Sequence, residues 1–139
     1  MKYLSSSNKE TKEILGKVLE KFPKKRVFCL FGDLGSGKTT FTKGLSKDIG
    51  LDEKQIKSPT FTIMNKYENR GKAIYHLDLY RINSYQELLD IGFDEMLNDQ
   101  NSKIFIEWPE KIEDDLPEER LDIYFKYLDE EKREILIKN

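Results

Sequence analysis

Cysteine and histidine are almost missing from this chain of 139 residues, with one of each. Cys29 alone leaves no partner for an intramolecular disulfide and no cysteine cluster for a metal. His76 alone excludes sites built from several histidines. Long apolar runs are also lacking. The longest, Val27-Phe28-Cys29-Leu30-Phe31, is far short of a membrane span. The opening segment reaches Ser5-Ser6-Ser7 too soon for a secretory signal, so the expectation is a soluble, cytoplasmic chain with no membrane partner. Nor is there an excess of either charge. Lys and Arg total 24 against 26 for Asp and Glu, giving a net charge of −2. Such a chain carries no long-range basic field that would hold nucleic acid by itself.

Charged residues make up 36% of the sequence and hydrophobic ones 37%, with aromatics at 12% supplying large buried area. The length suits one domain, which at this size buries roughly 70% of its unfolded surface. It leaves no room for a separate substrate domain.

Ser7-Asn8-Lys9-Glu10 has capping-box spacing, and Ile14, Leu15, Val18, Leu19 and Phe22 follow at helical intervals. Pro23 closes that helix, and Val27–Phe31 reads as a strand. A glycine-rich turn leads into a second helix, expected over 38–49, with Gly50 as its cap. Residues 51–61 read as a loop, 62–68 and 72–80 as strands of a hairpin turning at Asn69-Arg70-Gly71, and 84–89 as a short helix. A strand at 103–107 and a hairpin of 121–128 with 134–137 complete the chain. This pattern predicts an α/β fold, one domain covering 1–139, with a mixed central sheet flanked by helices.

The strongest motif is Gly32-Asp33-Leu34-Gly35-Ser36-Gly37-Lys38-Thr39, which fits G-x-x-x-x-G-K-[ST] between an apolar strand and a helix and makes the expected α/β fold a single-domain P-loop NTPase. Glycines let such a loop curl so that successive N–H groups face phosphate oxygens. Lys38 is placed to reach the β- and γ-phosphates, and Thr39 rather than its neighbour Thr40 to offer a hydroxyl to Mg²⁺.

Binding is not yet hydrolysis, which needs an acid for the metal and a group for the nucleophile. Strand alternation puts His76, Asp78 and Tyr80 on one face, either as chemistry or as the wet face of an edge strand. Glu107 ends the apolar run Ile104-Phe105-Ile106, either as a Mg²⁺ acid or as a strand's polar end. Trp108 either lines the nucleotide site or packs on the core rim. Ser58-Pro59-Thr60-Phe61 is either a γ-phosphate-sensing loop or an ordinary surface loop. Guanine specificity is disfavoured, because Asn65-Lys66-Tyr67-Glu68 comes too early and no Asp-x-x-Gly occurs. A small-molecule kinase, or a nucleotide switch without significant hydrolysis, is the alternative.

Together, Gly-Asp-Leu-Gly-Ser-Gly-Lys-Thr-Thr at 32–40, Ser-Pro-Thr-Phe-Thr at 58–62, His-Leu-Asp-Leu-Tyr-Arg at 76–81 and Glu-Trp-Pro-Glu at 107–110 resemble the TsaE (YjeE) family. These are small bacterial ATPases required for threonylcarbamoyladenosine in tRNA. The resemblance implies ATP and Mg²⁺ as ligands, with residues 33–40 around the phosphates and Thr39 and Glu107 on the metal. Asp78 would support hydrolysis by orienting water, with Lys38 and Thr60 beside the γ-phosphate. Trp108 and Arg133 would approach the nucleotide, and Asn8 and Thr11 its adenine. Ser36 stands where many members have Ala, in a loop read through its backbone. The family acts with TsaD and TsaB, which implies turnover that is weak alone and a tRNA contact made through that complex.

Overall fold

The computed structural model describes all residues, Met1–Asn139. Strand β1 (Lys2–Ser5) leads to helix α1 (Asn8–Lys21), then β2 (Val27–Phe31), α2 (Lys38–Thr42) and α3 (Leu45–Ile49). The hairpin β3 (Met64–Asn69) and β4 (Lys72–Asp78) follows, then α4 (Tyr85–Asp90), α5 (Phe93–Asn98) and β5 (Ser102–Glu107). A 3-10 segment, Pro109–Asp115, precedes β6 (Leu121–Tyr127) and β7 (Arg133–Lys138). No helix is long and apolar enough to cross a membrane.

The strands form one seven-stranded sheet in the order β1-β7-β6-β2-β5-β4-β3. Its centre is parallel, since β2 pairs with both β5 and β6, and β4 pairs with β5. Both flanks are antiparallel, the β3–β4 hairpin on one side and the β6–β7 hairpin with β1 added to β7 on the other, so the sheet is mixed, as expected. β2 is apolar throughout because both its faces are covered. Phe28 and Leu30 face α1, α2 and α3, together with Ile14, Leu15, Val18, Phe41 and Leu45. Val27 and Cys29 face the other way, onto Leu88, Phe93, Met96 and Ile112. Burial there pushes the Cys29 thiol up to about 12, which keeps it an unreactive filler.

Local signals explain most elements. Ser7 accepts a hydrogen bond from the Glu10 N–H at 3.1 Å, while the Glu10 carboxylate reaches the Ser6 N–H, one residue earlier than an ideal capping box. The first hairpin turns through Arg70 and Gly71, both at positive φ, the geometry that matches strand twist.

The helix expected over 38–49 is instead two helices joined at Lys43 and Gly44. A Cβ at Gly44 would lie 2.4 Å from the Lys12 carbonyl oxygen, so glycine here lets α1 pack backbone against backbone. The strand expected over 72–80 stops at Asp78, and that expected from 62 starts at Met64. β1, α5 and the 3-10 segment were not expected. β1 has only one buried residue and owes its place to pairing with β7. β4 is no edge strand, since β3 and β5 flank it.

Candidate functional site

The parallel strands β2, β4 and β5 end along one edge, where open α/β sheets commonly bind ligands. The glycine-rich loop 32–37 leaves β2 at that edge and enters α2. Asp78 and Glu107 end their strands in register with each other and share the sheet face that carries α2. The next residues inward on this face are core Phe105 on β5 and buried His76 on β4, with core Ile74 beyond the histidine. The face therefore changes from apolar to acidic where the strands end.

A cleft of about 250 Å³ opens there. It is lined by Leu34, Gly35, Gly37, Lys38, Thr39 and Thr40 of the loop and helix, with Ser58, Thr60, Asp78, Glu107, Trp108 and Arg133 around them. The structure thus brings together loop, acids, tryptophan and arginine from distant parts of the sequence. Three expected residues are placed differently. Asp33 is in the loop, but its side chain is exposed outside this lining. The Ser36 hydroxyl is buried without a hydrogen-bond partner. Thr11 is fully buried, its hydroxyl bonded to the Ser7 carbonyl and to Ser5, so it anchors the start of α1 rather than reaching the cleft. A larger hollow of about 440 Å³ lies at the sheet's opposite edge, lined by lysines and Arg26, and none of the motif residues reaches it.

Lys38 is 5% exposed, and its Nζ donates to the Gly32 carbonyl at 2.6 Å while sitting 4.2 Å from the Trp108 ring centroid. Burial lowers its pKa from the ordinary 10.5, an effect opposed by the nearby carboxylates of Glu107, Glu110, Asp78 and Asp33. Trp108 holds a positive φ of 58°, uncommon for a large side chain, as the chain turns out of β5.

Asp78 is held at both oxygens. Oδ2 accepts from the Thr60 hydroxyl at 3.1 Å and Oδ1 from the Tyr80 N–H at 3.0 Å. The Asp78 N–H donates to the Ile63 carbonyl at 2.8 Å, so segment 58–63 is tied to this residue by main chain and side chain alike. Ile63 sits at φ 68°, a strained conformation for a β-branched residue and a kind of strain that clusters at functional loops. The Tyr80 ring lies beyond the strand, beside Trp108.

Arg133 begins β7 rather than lying in the hairpin turn, and its guanidinium crosses to Asn8 Oδ1 at 3.2 Å. Its buried Nε has no partner. A Cβ at Gly37, where φ is 107°, would fall 2.2 Å from that Nε. The left-handed backbone favours glycine here, and the missing Cβ leaves the space that the arginine side chain occupies. Sequence reasoning did not find the Asn8–Arg133 bond or a bond from His76 to Glu107, because both depend on strand order.

Fold and cleft define the class: an α/β protein whose glycine-rich strand-to-helix loop shares the carboxyl edge of a mixed sheet with acids from two neighbouring strands. The chain belongs to the family described as threonylcarbamoyl adenosine biosynthesis protein TsaE, whose model matches residues 5–135. It is 40% identical over 136 residues to the tRNA threonylcarbamoyladenosine biosynthesis protein TsaE of Bacillus subtilis (strain 168), covering 97% of this chain and 83% of that one. It is 42% identical to the protein of the same name from Haemophilus influenzae, over 78% of this chain and 67% of that one. The crystal structure of YdiB from Bacillus subtilis superposes with a TM-score of 0.73 at 36% identity, covering 97% of this chain and 82% of that one.

Proposed function

We propose that the chain is a Mg²⁺-dependent ATPase acting in tRNA threonylcarbamoyladenosine biosynthesis through TsaD and TsaB, with tRNA reached through that complex. Family membership supports the pathway. The observation that carries the ATPase reading is the convergence of Lys38, Thr39, Thr60, Asp78 and Glu107 on one cleft beside the glycine loop.

The residues suit a nucleotide. At Gly35 a Cβ would meet nothing within 4 Å, so the loop backbone is open to a close approach by phosphate. The orphaned Arg133 Nε is a buried donor at the same wall. No group of three or more His, Cys, Asp or Glu side chains is placed to hold a metal unaided. The cleft instead offers one hydroxyl and one carboxylate, Thr39 and Glu107, few and hard oxygen donors of the kind that suit a Mg²⁺ site completed by phosphate oxygens and water. Thr39 and Glu107 are its protein ligands in this reading, and bound Mg²⁺ supplies neutralisation of phosphate charge. Lys38, drawn from Gly32, adds a positive charge for the β- and γ-phosphates. Asp78, with both oxygens already oriented, positions the attacking water, and Thr60 couples its loop to that carboxylate.

Titration calorimetry with ATP, with and without Mg²⁺, tests binding, and single-turnover phosphate release with and without TsaB and TsaD tests the coupling. The expected results are Mg²⁺-dependent binding, slow release alone and faster release with partners. Absence of binding would overturn the reading, and transfer of phosphate to a small acceptor would replace it with a kinase.

A further inference from the structure

The single histidine lies outside the cleft lining and has no part in the mechanism above. On β4 it sits two residues before Asp78, on the same face, diagonally across from Glu107 on β5. His76 is completely buried and Glu107 is 4% exposed. Their side chains meet at 2.6 Å, His76 Nε2 to Glu107 Oε2. With Glu107 ionised, its oxygen accepts and Nε2–H donates, which assigns the proton of a neutral ring to Nε2. The other ring nitrogen, Nδ1, is buried with no partner.

A buried imidazole with one nitrogen orphaned is a poor choice for merely filling space, since an apolar side chain would avoid the unmatched atom. What distinguishes His76 is the bond at Nε2, and that bond goes to a carboxylate at the wall of the cleft. It fixes one oxygen of Glu107 and leaves Oε1 with no hydrogen-bond partner in the chain. Outer groups that orient a ligating side chain typically change metal affinity by roughly 10–100-fold when removed.

We infer that His76 is a positioning residue for Glu107: its Nε2–H locks the carboxylate so that Oε1 faces the cleft ready for a divalent cation. The inference rests on the reading of Glu107 as the metal acid. It assigns the histidine of the His-Leu-Asp-Leu-Tyr-Arg segment a task separate from that of Asp78. Asp78 is poised by Thr60 and its own strand end, and Glu107 by the strand beside it.

The test is Mg²⁺-dependent binding of a non-hydrolysable ATP analogue by calorimetry, with Mn²⁺ binding by electron paramagnetic resonance as a second readout. Four variants are compared: His76→Leu, His76→Gln, His76→Asn and Glu107→Ala. The Gln amide reaches about where Nε2 lies, whereas the Asn amide reaches only to the Nδ1 position and misses Glu107. Gln and Asn impose similar polar burial, so this pair decides the question even if His76→Leu fails to fold.

The expected result is a cation requirement raised about tenfold in His76→Asn and His76→Leu and restored close to wild type in His76→Gln. Affinity for the analogue without metal should stay constant across the three. Wild-type cation dependence in His76→Asn, alongside a shift in Glu107→Ala, overturns the inference and keeps the metal acid. Unchanged dependence in Glu107→Ala overturns both. Metal-free affinity lowered in both His76→Asn and His76→Gln would mark a general disturbance of the site, which also refutes positioning.

Discussion

Two glycines one helix apart give the same substitution opposite signs. Gly16 is exposed on α1, and a Cβ there meets nothing within 4 Å. Gly16→Ala removes the conformational penalty of glycine in a helix and should stabilise the chain by about 0.5–1 kcal/mol. Gly44 has ordinary helical dihedrals, φ −63° and ψ −18°, so propensity alone predicts the same gain. Packing predicts otherwise. The new methyl would lie 2.4 Å from the Lys12 carbonyl oxygen and 3.1 Å from that of Phe41, against about 3.4 Å for ordinary contact. The near atom is backbone of a 14-residue helix, so no flexible side chain can move aside. α1 must withdraw by about 1 Å, pulling Ile14, Leu15 and Val18 from the core, and overpacking of this kind costs about 1–3 kcal/mol. The steric cost exceeds the propensity gain, leaving Gly44→Ala about 1–2 kcal/mol less stable than wild type. Urea unfolding followed by circular dichroism reads both variants, with the midpoint rising for Gly16→Ala and falling for Gly44→Ala. If Gly44→Ala matches or exceeds wild-type stability, the close approach of α1 to the α2–α3 junction is wrong.

Lys38→Met should abolish nucleotide binding in calorimetry yet raise stability by about 1 kcal/mol, because a buried ammonium is exchanged for an apolar chain of similar length. Burial lowers the Lys38 pKa in the fold, so the unfolded chain binds more protons between that lowered value and 10.5. Wild-type stability therefore rises with pH through this window, and the advantage of Lys38→Met in thermal melts should narrow there. Asp78→Ala should slow single-turnover phosphate release by about 100-fold or more with nucleotide affinity largely kept, and a parallel loss of both would assign Asp78 to binding.

The sequence alone determined what short-range patterns determine. The loop at 32–39 declared itself because a tight turn between strand and helix demands particular glycines. The helix behind Ser7 and the turn at Arg70-Gly71 declared themselves because capping and turn chemistry act over a few residues. Period-two spacing put His76 and Asp78 on one face of a strand, and an apolar run delivered Glu107 to the end of another.

Only the tertiary structure decided which of these meet. β1 has little apolar pattern of its own and exists through its ladder with β7. The break at Gly44 answers to a carbonyl on α1, 32 positions earlier in the chain, at Lys12. Thr11 fitted a nucleotide role on paper, yet packing turns its hydroxyl to Ser5 and Ser7. The pairing of β4 with β5 sets Asp78 opposite Glu107 and joins the only histidine to that acid. One face of a strand can be read from alternation, but its neighbour in the sheet is fixed by burial and backbone pairing among segments far apart in sequence. The scarcity of histidine that first excluded a multi-histidine metal site thus leaves one imidazole, placed by strand order behind the cleft's acid.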